Sequence, residues 1–133
     1  MKLVTENWVD SINHETISED PDFSDIENAL NNLDGIKHSL LEIEINSGVI
    51  LQIGGGPKEY MSQIINGDSI WLANGKITDD KIIQLSVGGQ LSEFENKAIL
   101  NKEEARDILM VFYHGNGVLT TTCLLYTSPS PRD

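Results

Sequence analysis

Apolar and polar positions alternate most clearly between Ser39 and Gly56, SLLEIEINSGVILQIGGG. Leu41, Ile43 and Ile45 are interleaved with Glu42 and Glu44, and Val49, Leu51 and Ile53 answer them across Asn46, Ser47 and Gly48. A period of two on both sides of a glycine turn predicts a β-hairpin. A three-residue loop with Gly48 in the left-handed conformation sets Ile45 against Val49, Ile43 against Leu51 and Leu41 against Ile53, so the whole apolar set shares one face. A two-residue loop of Ser47 and Gly48 would pair Ile43 with Gln52 and Ile45 with Ile50, splitting that set between faces. The three-residue register is therefore expected. It gives a greasy face on which a helix can pack and a wet face carrying Glu42, Glu44 and Gln52.

The same pattern reading extends along the chain. Lys2 to Asp10, with Val4 and Trp8, predicts a first strand, and the polar, acidic stretch from Ser11 to Asp22 predicts an exposed loop. Ser24 with Glu27 three residues on is a capping-box signal. Ile26, Ala29, Leu30 and Leu33 then recur at helical spacing, so a helix over about 25–33 is expected, with Gly35 as its C-cap. Lys58 to Ile65 and Ser69 to Ala73 read as strands joined by Asn66, Gly67 and Asp68, and Asn74 and Gly75 mark a further turn. Lys81 to Val87, with Ile83, Leu85 and Val87 alternating, is expected to continue the sheet. Asn101 with Glu104 caps a second helix whose apolar stripe is Ala105, Ile108, Leu109 and Phe112 and which ends before Gly115. Val118 to Thr122 would begin a last strand. The fold class is thus α+β: an antiparallel meander of about five or six strands with two helices packed on one face.

Length and composition change this picture at one place. A chain of 133 residues with 39% hydrophobic and 23% charged residues suits one domain with one core. No apolar run approaches the roughly 18 residues of a membrane span, and MKLVTENWVD is too acidic for a signal peptide, so a cytoplasmic protein that does not enter a membrane is expected. From Cys123 to Asp133, CLLYTSPSPRD abandons the alternation for Ser, Pro and Arg. This segment resembles an in-frame translation of a sequencing-library transposon adaptor, which reproduces each of its residues. Residues 1–122 are accordingly read as one C-terminally truncated domain and 123–133 as a non-native tail, expected to be disordered and dispensable. The chain's only cysteine, Cys123, falls in that tail, which removes the basis for thiol chemistry or a disulfide.

The formal charge of −12 repels phosphate backbones and favours basic surfaces, so nucleic acid is not expected as a direct ligand. Acid is densest between Glu15 and Glu27, where Glu15, Glu19, Asp20, Asp22, Asp25 and Glu27 occur without a basic residue. Gly54, Gly55 and Gly56 follow one strand, and Gly88 and Gly89 another. Neither run has the lysine and hydroxyl of a P-loop or the spaced glycines of a dinucleotide site, so they read as structural glycines at strand ends. His14, His38 and His114 have no partner at metal-ligand spacing, and Asp79, Asp80, Glu103 and Glu104 sit where turns and helix starts place solvated acids. No catalytic group, metal site or cofactor site is expected.

DGIKHSLLEIEI, LQIGGG and LSVGGQLSEFENKAILNKEEARDILMVFYHGNG, over about residues 34–119, resemble immunity protein family one of bacterial polymorphic toxin systems. The shared features are an apolar hairpin ending in a glycine run, a later strand ending in Gly-Gly-Gln, and a helix with a terminal aromatic and glycine. The family's closing tryptophan segment has no counterpart after Leu119. The resemblance implies a non-enzymatic protein that binds and neutralises a cognate toxin, of deaminase type or another nucleic-acid-modifying kind, by occluding its active site. A toxin acting on nucleic acid tends to carry a basic groove, which Glu15, Glu19, Asp20 and Asp22, or Glu42 and Glu44 on the wet sheet face, would complement. The competing reading is a small-molecule-binding domain whose pocket is lined by Gly54 to Gly56 and Gly88 to Gly89.

Overall fold

The computed structural model describes residues 1–45, 48–73, 75, 81–115 and 130–131. In chain order the elements are β1 (Lys2–Thr5), β2 (Trp8–Val9), β3 (Ile12–Asn13), β4 (Thr16–Glu19), α1 (Phe23–Asn32), β5 (Leu40–Glu44) and β6 (Ile50–Gly55). They continue with β7 (Tyr60–Asn66), β8 (Ser69–Leu72), β9 (Ile82–Val87), β10 (Gln90–Glu95), α2 (Lys102–His114) and β11 (Ser130–Pro131). The protein is α+β, and its strand pairs are antiparallel.

The central hairpin folds in the expected register: Leu41 lies opposite Ile53 and Ile43 opposite Leu51, and the Ile45 N–H donates to Val49 O at 3.1 Å. Gly48 takes the left-handed conformation, φ 89°, and its N–H donates to Ile45 O at 2.9 Å. Asn46 and Ser47 lie outside the described residues. The hairpin sits inside a seven-stranded sheet ordered β11-β8-β7-β6-β5-β1-β4. Leu3, Leu41, Ile43, Leu51, Ile53 and Ile64 project from one face of it into the main core. Leu41, Ile43, Leu51 and Ile53 are 0% exposed, and full burial of each such side chain stabilises the fold by roughly 1.5–3 kcal/mol.

Both helices cover that face. α1 contributes Ile26, Ala29, Leu30 and Leu33, and α2 contributes Ala105, Ile108, Leu109 and Phe112. Asn101 caps α2 as expected, accepting from the Glu104 N–H at 2.8 Å while Glu104 Oε1 accepts from the Asn101 N–H at 3.0 Å. The start of α1 differs from the sequence expectation. Its N-cap is Asp22, in a reciprocal box with Asp25, and Ser24 donates its hydroxyl to Asp22 Oδ1 at 2.6 Å. A carboxylate accepts both donors here, so the later Ser24–Glu27 signal is not used. Glu27 instead forms an ion pair with Arg106 of α2, whose guanidinium lies 5.7 Å from the Phe23 ring centroid. Gly35 does not cap α1 either. The helix closes at Leu33, and Gly35 occupies a turn in which Asp34 Oδ1 accepts the N–H groups of Ile36, Lys37 and His38 at 2.8–3.0 Å.

Four further differences matter for the site. The segment read as one strand from Lys2 to Asp10 breaks after Thr5, and Trp8 to Asn13 form the separate small hairpin of β2 and β3. The segment read as an acidic loop contains β4, an edge strand paired with β1. β9 does not continue the sheet; it pairs with β10, which sequence reading missed, and this hairpin lies across the other face near β6. There Met61, Leu85 and Ile99 form a second small core, with Val87 and Phe94 packed against it, so the face expected to be wet is apolar at this end. Finally, Ser130 and Pro131 of the tail pair with Ile70 and Ser69, contrary to the expected disorder, at a sheet edge where proline is tolerated. Val118 to Thr122 and the other residues of 123–133 lie outside the described residues.

Candidate functional site

Side chains alternate across a strand, so residues out of phase with the core share the opposite face. On β1, Leu3 enters the core, which turns Lys2 and Val4 outward. Lys2 lies opposite Glu19 on one side and Glu44 on the other, and Val4 opposite Ile17 and Glu42. The Lys2 ammonium pairs with Glu44 at 3.2 Å. The outward row continues through Gln52, whose amide donates to Glu42 Oε1 at 2.7 Å, to Gln63, whose amide donates to Gln52 Oε1 at 2.5 Å. Ile17 stands on this face 55% exposed.

Two acidic stretches far apart in sequence are thereby joined. Glu15 and Glu19 flank and end β4, and Glu42 and Glu44 project from β5 two strands away. Between them opens a small cleft of about 30 Å³ lined by Val4, Glu6, Glu15, Leu40 and Glu42. Glu6, which follows β1 with the phase of Lys2 and Val4, was not singled out from sequence although the alternation reaches it. Burial lifts the Glu6 carboxyl above its ordinary 4.5; the Trp8 indole opposes that rise, and the negative charges of Glu15 and Glu42 add to it. Glu6 Oε2 accepts from Asn13 Nδ2 at 2.9 Å, whereas Glu6 Oε1 and Trp8 Nε1 are buried without a hydrogen bond of good geometry.

The other candidate acids have local duties. Asp22 caps α1, and its carboxyl is held below the ordinary range, first by the Ser24 hydroxyl and then by the Asp25 N–H. Asp20 takes a left-handed φ of 48° and lies 3.5 Å from the N-terminal ammonium. Asp20 and Asp22 therefore belong to the joint between β4 and α1 more than to the sheet face.

The glycine runs converge on Ser39, which is 0% exposed. Its carbonyl accepts the Gly55 N–H at 3.1 Å and its hydroxyl accepts the Gly89 N–H at 2.9 Å. A Cβ on Gly54 would come within 2.6 Å of Val87, and one on Gly56 would meet the backbone of Leu33. Neither run lines the acidic cleft or the larger cleft of about 200 Å³ between α1 and the sheet, which is bordered by Glu6, Asn28, Asn32 and His38 among others. His38 Nδ1 donates to the Glu6 carbonyl at 2.8 Å, while His114 stacks on Phe23 at 5.6 Å. Among the described residues, no group of three or more His, Cys, Asp or Glu is placed to hold a metal ion, and no helix is long and apolar enough to cross a membrane. Comparisons with protein-family models, with curated proteins and with solved structures find no match to this chain.

Proposed function

We propose that this chain is an immunity protein that binds a cognate bacterial toxin in the cytoplasm and neutralises it by occluding its active site. The toxin is of a nucleic-acid-modifying kind, a deaminase or a nuclease, and the immunity protein acts by binding, without catalysis or a cofactor. The observation that carries this reading is the joining of Glu15, Glu19, Glu42 and Glu44 on one sheet face around Glu6, in a chain of formal charge −12. A protein that must hold phosphate presents a basic groove, and an acidic face of this kind steers toward such a groove and competes with the nucleic acid for it. The likeness of the hairpin, the glycine runs and α2 to immunity protein family one supports the same reading.

The experiment is co-expression with the toxin domain encoded next to this gene on its source contig. Restored growth with the wild-type chain, and none with an unrelated protein of equal charge, is expected. A toxin whose lethality is unaffected, or a neighbouring gene encoding no toxin, would falsify the proposal.

A further inference from the structure

β4 ends the sheet, and among the described residues no strand pairs with its outer edge. Natural sheet edges are protected by charged side chains, proline, a bulge or shortness, because a free row of N–H and C=O groups templates another strand. Thr16, Ile17, Ser18 and Glu19 carry no lysine or proline; their protection is the acid of Glu19 and the preceding Glu15, which repels a like-charged strand but not a cationic one, and Ile17 stands 55% exposed in their midst. Glu15, Ile17 and Glu19 have the same phase, so an acid, an apolar residue and an acid follow one another along the edge on the outward face.

Resting on the immunity reading, we propose that the edge of β4 is where the toxin docks, by adding an extended segment as an eighth strand to the seven of this sheet. Main-chain hydrogen bonds would hold the segment, and alternate side chains would select it. The pattern that fits is Lys or Arg, any residue, Val or Ile, any residue, Lys or Arg. Its cations face Glu15 and Glu19, and its branched side chain covers Ile17. A second copy of this chain fits the same edge poorly, because two such edges would set Glu15, Glu19 and Asp20 against like charges on molecules that each carry −12.

The test is hydrogen–deuterium exchange on the full chain, alone and with the adjacent gene's toxin domain disabled at its active site. The expected result is exchange slowed by about tenfold or more at the edge-facing amides of 16–19, since these gain strand partners. Ile17→Lys, placed on an exposed side chain, should keep the wild-type circular dichroism and weaken binding by about tenfold through repulsion of the incoming cations. If the toxin binds but protects amides elsewhere, or if Ile17→Lys binds as tightly as wild type, edge docking is overturned while the immunity reading stands. Protection of β4 in the toxin-free chain at dimer mass would overturn it in favour of a second copy. Absence of any complex sinks the immunity reading and this inference with it.

Discussion

Gly89 offers a sharp test of the packing, because two separate terms act there. Its φ is +79°, a region costing a side-chain-bearing residue about 1–2 kcal/mol. A Cβ built on it would also lie 2.6 Å from both Cε2 and Cζ2 of Trp8, so the indole must move. Overpacking of this kind costs about 1–3 kcal/mol. Gly89→Ala should therefore destabilise the fold by about 2–5 kcal/mol, and Gly89→Val by at least as much. Gly88 is the internal control. Its φ is +62°, yet a Cβ there would meet Leu40 only at 3.7 Å and Glu6 at 3.8 Å, so Gly88→Ala should carry the backbone term alone, about 1–2 kcal/mol. Urea unfolding of both variants, each in wild-type and Trp8→Ala backgrounds, separates the terms as a double-mutant cycle. The excess at Gly89 should vanish without the indole. Equal costs for Gly88→Ala and Gly89→Ala, or an excess that persists in Trp8→Ala, would refute the assignment.

Glu6 has a folded pKa raised above its unfolded value, so the stability it contributes is present at low pH and is lost as pH rises through the folded value. Glu6→Gln, which can still accept from Asn13, should raise the thermal midpoint at pH 7 and match wild type below about pH 4; an equal loss at both pH values would contradict this. Asn101→Ala removes the cap acceptor of α2 and should cost about 1 kcal/mol by chemical denaturation, whereas an unchanged midpoint would mean that another group satisfies Glu104 N. Glu19→Lys with Glu44→Lys breaks the exposed Lys2 pair and should cost at most about 1 kcal/mol of stability, while slowing association with the toxin domain about tenfold at low salt. Stopped-flow rates equal to wild type at low ionic strength would remove this face from the encounter.

The hairpin and α2 were legible because every signal in them agrees. At the hairpin, a slip by one residue would expose Ile43 and Leu51, both 0% exposed, so burial and turn length select the same register. At α2, the Asn101–Glu104 box, the stripe from Ala105 to Phe112 and Gly115 mark one span, and the structure begins and ends it there. The start of α1 was misread because Asp22 and Ser24 both satisfy the capping rule from sequence. The choice between them is made by tertiary contacts. Tyr113 donates its hydroxyl to Pro21 O at 3.3 Å and its ring lies 5.6 Å from that of Phe23, which starts the helix two residues earlier, and Glu27 is drawn to Arg106 of α2.

β4 and β10 were missed for a reason that bears on function. Each is polar or exposed along most of its length and, among the described residues, has a single strand neighbour, so neither shows the buried alternation by which strands are recognised. For β10 the missing signal changes only which sheet β9 joins. For β4 it changes the electrostatic picture: as a loop, Glu15 and Glu19 would be separate from Glu42 and Glu44, and the two groups would compete as alternative partner surfaces. As a strand beside β1, β4 holds them on one face at fixed cross-strand spacing, with Lys2 placed between Glu19 and Glu44. Rigid placement matters because steering depends on the summed field of charges held within about one Debye length, roughly 8 Å at physiological salt, and a mobile loop spreads that field out. The same placement adds to the rise in the Glu6 pKa that burial produces, since Glu15 can oppose its ionisation only from a fixed position beside it. Titration of Glu6 is thus a report on β4. If β4 is docked in solution as it is here, Glu15→Gln should bring the Glu6 pKa down toward 4.5, as read by the NMR shift of its carboxyl carbon. An unmoved Glu6 titration would mean that β4 does not hold Glu15 against the sheet.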